Sequence, residues 1–165
     1  DRYKAAEYVL GARDRCDYTI DRIRTVRSDH YRYIRNYYLD RPLMQPGYRD
    51  DRPPSMDMRR LFKAGELTEY QAEHWFGVRP REELYDMDAD PHQINNLATL
   101  PDFQAELLRH REVLENWIND SDDQGQYSES DVQLRATYEL WKDRDIFKSA
   151  DVNPEYSKFR EASAN

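Results

Sequence analysis

The chain has 165 residues, of which 38% are apolar and 35% charged, a lean supply for an independent core; one modest domain or part of a larger one is expected. Its 13 Tyr, 5 Phe and 3 Trp exclude simple disorder, since each ring buries a large area. No apolar run approaches the roughly 20 residues needed to cross a bilayer.

The net charge of −8 is uneven, with 17 Lys+Arg against 13 Asp+Glu in residues 1–81 and 8 against 20 in residues 82–165. Arginine supplies 20 of the 25 cations, and its planar fork suits carboxylate, phosphate or sulfate. The start, DRYKAAEYVLGARDR, has no signal-peptide pattern and no initiator Met, so it reads as a sequence entered in the middle. A single cysteine, Cys16, excludes an internal disulfide.

In chain order, Ala5 to Ala12 is short and apolar around Tyr8, Val9 and Leu10, which predicts a buried strand, with the charged turn Arg13, Asp14 and Arg15 after it. Residues 22–37 are rich in Ile, Val, Thr and Tyr about Ser28, Asp29 and His30, the pattern of a β-hairpin. Pro42, Pro46, Pro53 and Pro54 with Gly47 make residues 40–55 a Pro-rich loop. Residues 56–78 predict two short helices broken at Gly65, the second capped by Thr68.

Residues 82–98 follow as a strand, Leu84 and Tyr85, and the turn-prone run Asp86 to Pro91. A helix over residues 101–119 opens with Pro101 and Asp102. It should bury Phe103, Leu107 and Trp117 and expose Glu106, Arg109 and Glu115. Residues 120–165 read as an acidic linker followed by a helical or frayed tail around Leu140, Trp141, Ile146 and Phe147.

Little of this carries chemistry. His30, His74, His92 and His110 lack zinc-ligand spacing, and the alternating Asp86, Asp88 and Asp90 run into Pro91 where an EF-hand loop would need glycine. There is no phosphate loop, no nucleophile elbow and no Ser/His/Asp or Cys/His grouping, so the catalytic and metal sets of this chain are empty. Arg interleaved with Tyr over IRTVRSDHYRYIRNYY is the pattern that single-stranded nucleic-acid binding would use, against which stands the acidic total.

Two blocks, GARDRCDYTIDRIRTVRSDHYRYIRNYY and EELYDMDADPHQINNLA, resemble sulfatases of the alkaline-phosphatase-like superfamily, above all their heparan-sulfatase-like and sulfamidase-like branch. The likeness covers about residues 5 to 118, departing at Gln93, where the family often has Glu. It implies an α/β class, here an α+β C-terminal subdomain over residues 1–119 with a small antiparallel sheet and packed helices. In the family that layer docks on a larger alkaline-phosphatase-like α/β domain, the missing N-terminal catalytic partner.

By the same resemblance the parent enzyme hydrolyses sulfate esters or sulfamates of a sulfated carbohydrate and is often exported. The parent uses calcium and a formylglycine made from a C/S-x-P-S-R motif. Cys16 is followed by DYTI, so neither cofactor is expected in this chain. Arg13, Asp14 and Arg15, where the chain would leave the sheet, and Tyr48 and Arg49 in the Pro-rich loop are the candidate substrate-rim residues. The alternative is a non-catalytic module holding an anionic glycan on the basic hairpin.

Overall fold

The computed structural model describes residues 6–144 and 153–163. Four strands, β1 (Val9–Cys16), β2 (Thr19–Arg27), β3 (Tyr31–Asn36) and β4 (Glu82–Asp86), form one antiparallel sheet in that order. Five helices accompany it: α1 (Pro53–Ala64), α2 (Glu69–Phe76), α3 (Gln104–Asp120), α4 (Asp131–Trp141) and α5 (Ser157–Ser163). The α+β class expected from the sequence is the one observed.

Contacts divide the chain into two compact units. The first comprises Asp1–Asp14, Arg22–Tyr37 and Pro80–Gln126, and the second Arg15–Asp21, Tyr38–Arg79 and Tyr127–Asn165.

In the first unit the hairpin turn falls at Ser28 to His30, closed by the Ser28 N–H donating to the Tyr31 carbonyl at 2.9 Å. The register pairs Val26 with Tyr33 and Tyr33 with Leu84. Because side chains alternate along a strand, these three share a face, and with Ala98, Leu107 and Leu114 they form one buried cluster. Beyond β4 the Asn96 side chain extends the ladder: its Oδ1 accepts from the Leu84 N–H at 3.0 Å and its Nδ2 donates to the Glu82 carbonyl at 3.1 Å. Asp86 and Asp90 each accept backbone N–H groups of their own turn, at 2.7–3.0 Å.

The second unit has its own cluster of Tyr18, Ile20, Leu134, Tyr138, Tyr156 and Phe159. Helix α1 ends at Gly65 with φ 68, where the Glu66 N–H reaches back to the Leu61 carbonyl at 2.9 Å. That left-handed position suits glycine because it has no Cβ. Thr68 and Gln71 close a reciprocal capping box on α2, as Thr68 leads one to expect.

Three expectations need correction. Ala5 lies outside the described residues; the first strand is not a buried run through Tyr8 but starts at Val9, which is 63% exposed, and continues through Arg13, Asp14 and Arg15 to Cys16. It lies at the edge of the sheet, and Asp17, at φ 53, turns it directly into β2. Asp tolerates that left-handed conformation better than most residues.

Pro53 and Pro54 belong to α1 rather than to the loop, since the first helical turn requires no N–H from them. The tail past the acidic linker contains α4, with a Ser130–Gln133 capping box, and buries Leu134 and Tyr138. Leu140 there is exposed, and Ile146 and Phe147 lie outside the described residues. On α3, Leu107 is buried and Arg109 and Glu115 are exposed as expected, whereas Phe103, Trp117 and Glu106 are half-buried and His110, unforeseen, is fully buried.

Leu107, 3% exposed, is the deepest large apolar contact of α3 with Leu114. Leu107→Ala should cost about 2–5 kcal/mol in denaturant unfolding of the full-length protein, while Glu115→Ala should stay within about 0.5 kcal/mol. Equal, small effects would show that α3 is not packed on the sheet.

Candidate functional site

The strand-end arginines of the sequence reading sit inside β1, where alternation sends Asp14 to the side opposite Arg13 and Arg15. Asp14 accepts from Nη1 of Arg24 at 2.7 Å. Arg24 has no solvent exposure, and its remaining donors go to Asp123, Nε at 3.0 Å and Nη2 at 2.8 Å. The paired geometry makes this a two-point guanidinium–carboxylate bond. Arg22 adds a weaker contact to Asp123 at 3.5 Å. The Arg24 fork holds Asp123 well below the usual carboxylate range, against the opposing effect of its burial.

Gly125 closes over this knot. A Cβ there would lie 2.0 Å from Arg24 Nη2 and 2.5 Å from Asp14 Oδ1, so glycine is demanded by close approach.

Arg15 belongs to the second unit, where its Nε meets Glu129 at 3.1 Å and its Nη1 donates to the Thr137 hydroxyl at 2.7 Å. Tyr48 packs against the second cluster, and exposed Arg49 lies 5.0 Å above its ring centre. Arg13 has no side-chain partner among the described residues. Of the five rim candidates, Arg13 and Arg49 therefore keep their guanidinium groups uncommitted to a carboxylate, while Asp14 and Arg15 are spent on internal pairs.

A second buried knot was not foreseen. Arg79 grips Asp21 through both Nη atoms at 3.0 Å each, and its Nε donates to the Arg41 carbonyl. Gln45 donates to the same Asp21 carboxylate at 3.0 Å. Arg41 pairs with Asp40 at 2.8 Å and Glu155 at 3.1 Å, and Asn153 binds both polar groups of Ile20. The only sequence signal was an Asp next to Ile20 in a strand, where a buried carboxylate is tolerated only when a cation meets it.

The hairpin tyrosines are not a stacking platform, because Tyr33 is fully buried and Tyr31 packs against Phe103 and His110. Tyr33 donates to Glu82, which also receives Arg35 and Arg111. Burial, and then the Glu82 carboxylate, push the Tyr33 phenol up to about 12.

No family model matches the chain. It is 35% identical over 130 residues, 78% of its length, to an ulvan-active sulfatase of Formosa agariphila, and 33% identical over 99 residues, 58% of its length, to the N-sulphoglucosamine sulphohydrolase of Homo sapiens. Both matches fall on the C-terminal portion of the relative. The chain is similar to the C-terminal portion of sulfatases. It spans only 22% and 19% of these two relatives. A solved 2-O GAG sulfatase aligns over 82% of this chain and 21% of its own, at TM-score 0.47 and 22% identity.

Among the described residues the nearest approach to a catalytic grouping is Ser28, His110 and Glu106. His110 Nδ1 faces two acceptors, the Glu106 carbonyl at 3.1 Å and its carboxylate at 2.9 Å, so Nδ1 carries the hydrogen and Nε2 accepts from the Ser28 hydroxyl at 3.1 Å. The imidazole is fully buried between the rings of Tyr8 and Tyr31, and the Ser28 oxygen already accepts from the Tyr31 N–H at 3.2 Å. It is a strut between hairpin turn and α3. Burial lowers the His110 pKa from its ordinary 6.5, Glu106 opposing and Arg109 reinforcing the shift.

Two outcomes follow for the folded protein. Gly125→Ala should force the Arg24 fork off its carboxylates and lower stability by at least about 1–3 kcal/mol, whereas Gly47→Ala, with 3.7 Å to its nearest neighbour, should cost less; thermal melts decide. The His110 effect is read from pH. Its folded form binds protons less readily than the unfolded one, so stability should fall as pH drops below about 6.5, and His110→Gln should flatten that window. Exposed His30, raised by its hydrogen bond to Asp88, acts with opposite sign, so His30→Asn should leave the fall in place.

Proposed function

We propose that this chain serves as the C-terminal part of a sulfatase that hydrolyses sulfate esters or sulfamates of a sulfated carbohydrate. The observation that carries the reading is the 35% identity over 130 residues to an ulvan-active sulfatase. The N-sulphoglucosamine relative points to the same substrate class, an anionic sugar. The chain's own part is structural. Its partner is the catalytic domain that makes up the rest of such a polypeptide, and Arg13 and Arg49 are its contribution to a substrate rim.

Calcium and formylglycine are the groups this reading expects in the complete enzyme. The residues here do not fit them: Asp86 and Asp90 spend oxygens on their own turn, and among the described residues no three His, Cys, Asp or Glu side chains converge on a metal position. Cys16 lacks the Pro-Ser-Arg that formylglycine formation would need. Both groups are assigned to the rest of the polypeptide. No helix of the described residues is long and apolar enough to cross a membrane.

The full-length protein should release sulfate from a sulfated oligosaccharide, measured by ion chromatography, and residues 1–165 alone should release none. Turnover by the isolated chain, or none by the full-length protein on any sulfated sugar, would overturn the proposal. Arg49→Ala in the active full-length enzyme should raise KM for the sugar with a smaller change in kcat, as for loss of a ground-state contact.

A further inference from the structure

The second unit contains an open groove of about 1290 Å³. One face of α1 lines it with Met56, Arg59, Arg60, Lys63 and Ala64, the i, i+3, i+4, i+7, i+8 spacing of a single helical stripe. Neither α1 nor α2 buries a single residue, yet Phe62 and Phe76 stack in parallel at 4.0 Å and Phe62 stays 43% exposed. The groove thus has an aromatic wall that stays partly open to solvent.

Its charge is the reverse of the chain's. The lining holds four cations against two carboxylates, in a protein of net charge −8. Arg41 and Arg59 are committed: Arg41 is held by Asp40 and Glu155, and Arg59 by Asp50 at 2.6 Å and by the Met44 and Gln45 carbonyls. These pairs build the floor. Arg60 and Lys63 remain on the rim. Lys63 has no ion pair among the described residues, and Arg60 has only exposed carboxylates at 3.4 and 3.6 Å.

An apolar aromatic wall beside exposed cations fits a ligand with one apolar face and anionic substituents. A volume above the roughly 300–1,000 Å³ of ordinary small-molecule sites leaves room for more than one ring. We propose that this groove is a binding subsite for a sulfated or carboxylated sugar unit, remote in sequence from Arg13 and held by Arg60, Lys63 and the Phe62 ring. The proposal rests on the sulfatase reading and adds a second place where the same substrate class is held.

The test uses the full-length protein with size-defined heparin and ulvan tetrasaccharides as probes. Calorimetry should show salt-dependent binding of at least one of them, weakened about tenfold or more in R60E/K63E, the scale of one lost charge-assisted hydrogen bond. Both side chains are exposed, so the melting temperature should not move. Lys63→Arg should retain binding. Unchanged affinity in the double variant, or no binding of either probe, would overturn the proposal. So would slow maleimide labelling of Lys63→Cys in the sugar-free full-length protein, which would mean that the groove is covered by the rest of the polypeptide. Turnover of a small aryl sulfate reports on the sulfatase reading separately: if the wild type turns it over while the double variant binds tetrasaccharide normally, only the groove assignment fails.

Discussion

Arg24, a cation with no solvent exposure, is the constraint on which the first unit depends. A buried guanidinium is tolerable only when its donors are met, and here Asp14, Asp123 and the backbone carbonyls of Arg13 and Ile23 meet them. Those acceptors come from β1, from β2 itself and from the chain just beyond α3. One side chain therefore ties the edge strand, the hairpin and the helix exit together, and Gly125 is small because it must lie against that side chain. Removing any partner leaves an uncompensated charge, which is costlier than the pair is stabilising.

The second unit repeats this logic. Asp21 is buried on β2 beside Ile20, and Arg79, Gln45, Arg41 and Asn153 surround it with donors and carbonyl-bound neighbours. In a chain where 35% of residues are charged, buried ionic knots stand where a richer sequence would place aliphatic contacts. Tyrosine does the rest. Tyr18 and Tyr156 are fully buried in one unit and Tyr33 in the other, each pushed up to about 12 chiefly by burial.

This division of labour bears on function. Side chains that look chemically promising, such as Asp14, Arg15, His110, Asp86 and Asp90, are consumed by the fold. Those left over are half-buried Arg13, Arg49 beside the Tyr48 ring, and Arg60 and Lys63 in the groove that Phe62 and Phe76 also line. Cations beside apolar rings suit the binding of an anionic ligand and perform no bond cleavage, as the proposed supporting role of this region requires.

The hairpin, the helical break at Gly65, the Thr68 cap, the strand at Leu84 and Tyr85 and the helix after Pro101 were all legible in the sequence, because each rests on local signals: alternation, capping, or glycine and proline. The two sulfatase-like blocks were legible for a different reason, as the order and spacing of particular residues. What local signals could not supply was pairing between residues far apart. The ion pair of Asp21 and Arg79 joins residues 58 apart, and Arg24 meets Asp123 across 99. The burial of Leu134 and Tyr138 depends on Tyr18, Ile20, Tyr156 and Phe159 arriving from both ends of the chain. The edge position of β1 follows from strand order, which its own composition does not encode. The sequence by itself determined the class of fold, its main elements and the family; the tertiary structure alone decided which charges are buried and which remain free to meet a ligand, because desolvation depends on neighbours and not on residue type.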